Sequence, residues 1–228
     1  MNAIERIFNR PRVLLPVVHP VTKVDALRSI DIVVEAGCSG LFLINQGMSS
    51  RDVLDLAQET KRNHPHLWVG LNLLGHTLES AYNTIGQASL DGMWADCTPV
   101  TVAGIHGLFD HNLNRKGYPT LFGGVAFKYQ TPVADEYLER TAEIASTYVD
   151  VVTTSGPGTG IPASVEKIEA MKRGVGAKAL GLASGVDIDN VSLYTPYVSA
   201  FLVGTGIEER FGVLDAVKVK ELRATIEG

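Results

Sequence analysis

The stretches AKALGLA (177–183) and AFLVG (200–204) decide the fold. Each is a short, almost unbroken apolar run, and each gives way at once to a polar, glycine-containing turn, SGVDID (184–189) and TGIEE (205–209). A strand that is apolar on both faces suits a parallel sheet covered by helices. Working back along the chain, similar runs recur as DVVTT (150–154), TLFGGVAF (120–127), DGMWA (91–95), LWVGLNL (67–73), GLFLI (40–44) and VLLPVV (13–18). Pro16 sits inside the first of them, where it removes one ladder donor.

Amphipathic segments separate these runs. VDALRSIDIVVEAG ends at Gly37, a C-terminal glycine stop. SSRDVLDLAQETKRN opens with serine and Asp52 and closes with Lys61 and Arg62, matching the polarity of a helix dipole. ADEYLERTAEIASTY and PASVEKIEAMKRG read the same way. DIDNVSLYTPYV reads as a short helix ended before Pro196, and LDAVKVKELRATIEG as the last helix. Strand and helix thus alternate in units of roughly 20–30 residues, the size of a βα unit. The pattern predicts one (β/α)8 TIM barrel spanning 1–228 as a single domain; a doubly wound open sheet is the alternative.

Composition agrees with a globular protein: 45% hydrophobic and 20% charged residues, with 23 glycines. A formal net charge of -5 argues against a general nucleic-acid binder, which draws its affinity from basic side chains on phosphates. Charges in MNAIERIFNRPR occupy the place of a signal-peptide apolar core, and no run reaches membrane-spanning length. Cys38 and Cys97 lack partners at metal-finger spacing and read as buried small residues in a reducing, cytoplasmic setting. A homo-oligomer is the base-rate expectation for such a barrel.

In a parallel barrel the residues just past each strand form a crown of loops, and the ligand site lies there. In chain order that crown holds His19, Asn45, Gln46, Asn72, Asp96, Lys128 to Gln130, Ser155, Gly156, Ser184, Gly185, Gly204 and Thr205. The glycine-rich segments SGPGTG (155–160), ASG (183–185) and VGTG (203–206) let backbone N–H groups approach an anion, at the position where barrels frequently hold phosphate. They could also serve only as tight turns. Lys128 could clamp a phosphate, form a Schiff base or stabilise an oxyanion. Asp96 could act as a general base or cap a helix, and His19 could transfer protons or wall the site. Asn45 and Asn72 suit the orientation of hydroxyls or a nucleobase. His64 and His66 fall on the far face, His106 and His111 read as structural or solvated, and His76 is a loop contributor. Too few ligands converge for a metal centre, and no cofactor is expected.

Several of these segments resemble the BtpA-like family of barrels, a group that includes a photosystem I biogenesis protein and SgcQ. The resemblance runs through VGLNLL (69–74), SGPGTGIP (155–162), ASGVDIDNV (183–191) and LVGTG (202–206), with His19, Asn45 and Lys128 at matching strand ends. PVTK follows His19, whereas the family pattern has leucine, proline and glycine. Gly124 and Tyr129 stand where the family has an aspartate and a histidine around the lysine, and Glu208 or Glu209 where it has a basic residue. The resemblance implies a phosphate cup more firmly than an acid/base set, and it supplies no reaction.

The expected function is an enzyme acting on a small phosphorylated sugar or nucleotide-like metabolite, with isomerase or lyase chemistry. Its catalytic set would be Lys128, Asp96 and His19. Asn45, Asn72, Ser155, Gly156, Ser184, Gly185, Gly204 and Thr205 would bind substrate and phosphate. The alternatives are a non-catalytic assembly or stability factor, as the family resemblance implies, and a nucleosidase-like hydrolase centred on Asp96.

Overall fold

A computed structural model describes residues 1–101, 104–105 and 118–228. Eight parallel strands close into a barrel: Val13–Val18 (β1), Gly40–Ile44 (β2), Trp68–Asn72 (β3), Gly92–Ala95 (β4), Thr120–Gly124 (β5), Val151–Thr154 (β6), Ala179–Ala183 (β7) and Ala200–Val203 (β8). They neighbour one another around the ring in the order β1-β8-β7-β6-β5-β4-β3-β2, so β1 lies opposite β5. All eight strands lie within the apolar runs read from the sequence. Closure leaves no unpaired sheet edge, which rules out the open doubly wound alternative.

Side chains alternate across the barrel wall as the strand period of two requires. Val13, Leu15 and Val17 of β1 point into the barrel interior, whereas Leu14 and Val18 pack outward with the helices. The interior is filled on one side by Phe42, Trp68, Trp94 and Phe122, whose rings meet edge to face at centroid distances of 5.1–5.8 Å. Room for these rings comes from glycine: a Cβ on Gly92 would overlap the Trp68 ring, and one on Gly70 would overlap Phe42.

The covering helices begin and end on the expected signals. Thr22 caps Lys23–Glu35 (α2, the second helix of the chain), and Gly37 adopts a positive φ of 72° just beyond it. Ser49 caps Ser50–Asn63 (α3), Thr77 caps Leu78–Gln87 (α4), Ser164 caps Val165–Val175 (α6) and Asp215 caps Ala216–Glu227 (α7). Asp135–Ala145 (α5) has no side-chain cap and carries Asp135 and Glu136 in its first turn. The short helix expected before Pro196 shrinks to a 3-10 turn over Val191–Leu193.

Three features depart from the sequence reading. Ala3–Phe8 forms an additional helix (α1), held by a reciprocal cap between Asn2 and Glu5. It plugs the amino-terminal end of the barrel, with Ile4 fully buried and Phe8 edge-on to Trp68 at 5.6 Å. Glu208–Arg210 and Val213–Leu214 form a small antiparallel hairpin between β8 and α7. Cys97, read as buried like Cys38, is exposed because it sits in the loop past β4. His106 and His111 lie outside the described residues. Among those residues no helix is long and apolar enough to cross a membrane.

The ring-into-glycine packing yields a stability test. Gly92→Ala puts a methyl group into the Trp68 ring and should lower the unfolding free energy by about 1–3 kcal/mol. Gly86→Ala, in α4 with only ordinary contact to Pro119, should instead be neutral or stabilising by up to about 1 kcal/mol. Urea unfolding of both variants checks the contrast.

Candidate active site

The carboxyl ends of the strands open into a cavity of about 320 Å³. Val17, Ile44, Trp94 and Leu202 give it an apolar floor, and the indole Nε1 of Trp94 is buried with no hydrogen-bond partner among the described residues. Eight crown residues read from the sequence line it: His19, Gln46, Asp96, Lys128, Tyr129, Ser184, Gly204 and Thr205. His19 follows β1 and Lys128 follows β5, so the two stand on opposite walls; Asp96 follows β4, beside Lys128.

His19 is locked on three sides. Its Nδ1 lies 2.8 Å from Oε1 of Glu208, a buried carboxylate that also accepts the Gly212 N–H at 3.2 Å. Phe211 stacks on the imidazole at 5.2 Å and an interplanar angle of 28°. Gly204 lies against the ring; a Cβ there would stand 2.6 Å from His19 Cε1. Gly204 therefore makes room for the histidine, while Thr205 opens an exposed 3-10 turn beside it.

Asp96 accepts a hydrogen bond from Asn72 Nδ2 at 2.8 Å, and its backbone carbonyl accepts from Gln130 Nε2. Burial pushes the Asp96 carboxyl above the usual carboxylate range; the Asn72 hydrogen bond and the Lys128 charge pull the other way. Asn72 itself is buried at the end of β3 and reaches the cavity through Asp96. Position 124 on β5 admits no side chain, because a Cβ there would collide with the Asp96 backbone carbonyl. The acid near Lys128 thus comes from β4.

Lys128 is positioned by its neighbours. Its backbone N–H donates to Ser155 Oγ at 2.8 Å, and its Nζ donates to Thr159 Oγ1 at 3.3 Å. Tyr129 adopts a left-handed backbone (φ 61°) and its hydroxyl accepts the Thr159 N–H at 3.1 Å. These contacts tie the loop past β5 to the 156–162 segment. Ser184, also left-handed at φ 73°, joins the same tie by accepting the Gly160 N–H at 3.1 Å.

Four residues read as substrate contacts sit elsewhere. Asn45 braces two loops, donating to Ser50 Oγ at 2.9 Å and the Leu74 carbonyl at 3.1 Å. Ser155 is fully buried and spends its hydroxyl on the Lys128 N–H and the Gly156 carbonyl. Gly156 and Gly185 are packed under the Ile161–Pro162 backbone, which a Cβ at either position would strike. Of the other histidines, His76 meets Ser50 at 3.0 Å, and His64 and His66 line a separate cavity at the amino-terminal side.

Glu208, Thr159 and Lys167 are not marked as site residues by the sequence, whereas Tyr129 falls in the expected crown. Of the three, Glu208 carries the clearest signal, as an acid where the resembling family has a basic residue. Lys167 lies on α6, three residues past its Ser164 cap, where nothing marks it as unusual. It reaches back to donate to the carbonyls of Ala126 at 2.6 Å and Ser155 at 2.7 Å, and burial pulls its ammonium down to about 8. Among the described residues, no group of three or more His, Cys, Asp or Glu could hold a metal ion.

No family model matches the chain, and no curated protein matches it either. Many solved structures do, at low identity. The chain is similar to a 2-keto-3-deoxy-6-phospho-gluconate aldolase from Zymomonas mobilis (15% identity, 99% of this chain and 96% of that one, TM-score 0.67). It is also similar to a phosphoribosyl anthranilate isomerase from Thermus thermophilus (14%, 92% and 96%, TM-score 0.61). A thiamine phosphate pyrophosphorylase from Pyrococcus furiosus superposes comparably (12%, 96% and 97%, TM-score 0.64). At these identities the likeness defines the fold, a TIM barrel.

The half-buried Asp96 yields a pH test. With its folded-state value raised above 3.8, its contribution favours folding at low pH and is lost as pH rises through the folded value. Asp96→Asn keeps an acceptor for Asn72 without the charge. Its stability relative to the unchanged protein should therefore increase as pH rises above about 4 and level off once Asp96 is ionised in the folded state, as read by thermal unfolding. A constant difference across that range would contradict the burial effect.

Proposed function

We propose that this barrel is an enzyme for a small phosphorylated metabolite, sugar-like or nucleotide-like, with isomerase or lyase chemistry at the crown cavity. The observation that carries the reading is the cavity's division of labour. A lysine stands on one wall, an imidazole on the opposite wall and a half-buried carboxyl beside the lysine, above an apolar floor. Such a space suits a ligand with one anionic end and one reactive carbon skeleton. Lys128, Thr159, Ser184 and Thr205 offer an ammonium and three hydroxyls to a phosphate group. The names of the three similar structures each include a phosphorylated compound, which supports the same substrate class.

Lys128 serves this reading in its charged form, holding the phosphate or a developing oxyanion. His19 and Asp96 are then left for proton transfer. A lyase acting through a Schiff base would instead use Lys128 as the nucleophile. Neither route calls on Gly185. A Gly185→Asp variant would disturb the Ile161–Pro162 packing whether or not a ligand binds there.

The test is a thermal-shift screen of sugar phosphates and nucleotides against their dephosphorylated counterparts, followed by calorimetric titration. Phosphate esters alone should stabilise the protein, because a ligand that binds only the folded state raises its melting temperature. Lys128→Ala should weaken the best ester by about tenfold to a hundredfold, the loss expected for one charge-assisted hydrogen bond. Borohydride reduction with phosphorylated aldehydes and ketones should leave the Lys128 peptide unmodified; a trapped adduct would make the reaction a lyase. If no phosphate ester stabilises the protein, the enzyme reading fails in favour of a scaffold.

A further inference from the structure

We propose that His19 and Glu208 form a base dyad, in which Glu208 holds Nδ1–H and Nε2 of His19 removes a proton from the bound metabolite. The proposal deepens the reading of the crown cavity as a reaction site. Glu208 never touches the ligand in this scheme; it is a positioning residue acting through His19.

Three observations carry it. The 2.8 Å contact between Nδ1 and a buried carboxylate assigns the imidazole proton to that side, because a carboxylate can only accept. Nε2 is then the lone-pair nitrogen, and among the described residues it has no partner. His19 also lines the cavity, with Gly204 packed against its ring and Phe211 stacked on it, so the imidazole cannot swing away. The chain further inserts a hairpin, Glu208–Arg210 with Val213–Leu214, between β8 and α7. Its turn provides Gly212, whose N–H orients the Glu208 carboxylate, and Lys218 pins the Glu208 backbone carbonyl at 3.0 Å. Glu208 is therefore held before any ligand arrives.

A carboxylate on Nδ1 fixes the tautomer and stabilises the imidazolium that proton removal creates. The matching step is abstraction at a carbon beside a carbonyl. The C–H bond breaks, its proton goes to Nε2, and the electron pair forms a carbon–carbon double bond. The carbonyl oxygen takes a proton from the Asp96 carboxyl on the far side of the mouth. Return of the His19 proton to the neighbouring carbon, with Asp96 recovering one from the neighbouring hydroxyl, completes an isomerisation without any net redox change. The substrate class is thus a hydroxy-carbonyl phosphate.

The test uses the full-length protein labelled with 15N-histidine, with His19→Gln to assign the signal. Neutral His19 should carry its proton on Nδ1, coupled to a low-field proton resonance that Glu208→Gln moves upfield and Glu208→Asp largely restores. Carbethoxylation of His19 by diethyl pyrocarbonate, followed by peptide mass spectrometry at a pH where His19 is neutral in both proteins, should slow in Glu208→Gln, because the carboxylate on Nδ1–H raises the basicity of Nε2. His64, His66 and His76 serve as unaffected internal controls. A neutral His19 protonated on Nε2, or equal His19 carbethoxylation rates in the two proteins, would overturn the dyad. If Glu208→Gln does not fold, the tautomer of the unsubstituted protein decides alone. Phosphate esters take no part in these readouts, so their failure to bind would remove the proposed substrate class, while the tautomer and carbethoxylation results would still decide the His19–Glu208 pairing.

Discussion

The structure depends first on filling a closed barrel with rings. Eight parallel strands enclose a volume that must be packed, because a void would forfeit contacts on every lining atom. Phe42, Trp68, Trp94 and Phe122 occupy it from neighbouring strands, and Gly70 and Gly92 supply the space into which the rings reach. Helix α1 closes the amino-terminal end beneath them, so the carboxyl end is where the interior opens to a ligand. Trp94 belongs to both worlds: it packs edge-on to Phe42 and also forms part of the cavity floor. The depth of the site is thus set by the packing that stabilises the fold.

That dependence explains what could be read from the sequence. The strands were legible because burial on both faces leaves runs such as GLFLI and AFLVG almost wholly apolar, and the helices because their caps are local. Helix α1 was hidden, since six residues with Glu5 and Arg6 at their centre resemble a solvated terminus until Ile4 finds the barrel floor. In the site, His19, Asp96 and Lys128 were legible because each directly follows a strand or its extension. Glu208 was not, for a different reason. Its role rests on a contact spanning 189 positions of sequence, which no local pattern records. Lys167 is similar: its ammonium meets carbonyls of two loops, and backbone acceptors leave no trace in side-chain chemistry.

The glycine-rich turns mark where reasoning from residue type alone overreaches. Glycine past a barrel strand suits an anion, but it equally suits a neighbouring backbone. Gly156 and Gly185 take the second course, receiving the Ile161–Pro162 segment, and Gly204 accommodates an imidazole. What these turns provide is a fixed crown in which Ser184, Tyr129 and Thr159 are tied together around Lys128. Lys167 adds a second fastening from below, joining the loops past β5 and β6. A cation held near its own neutralisation point makes that fastening weaker as pH rises, since the neutral amine is the poorer donor.

The two acids of the crown are placed by different constraints. Position 124 on β5 is closed to any side chain by the Asp96 backbone, and Asp96 brings a carboxyl near Lys128 from the end of β4. Past β8, Glu208 grips the imidazole of His19 on the opposite wall. Both arrangements cost stability, because a buried carboxylate must be desolvated and then held by partners. A barrel serving only as a scaffold would gain by replacing Asp96 and Glu208 with apolar side chains of similar size. A buried Glu208 and a half-buried Asp96 beside an open cavity are what the proposed proton transfer across it would require.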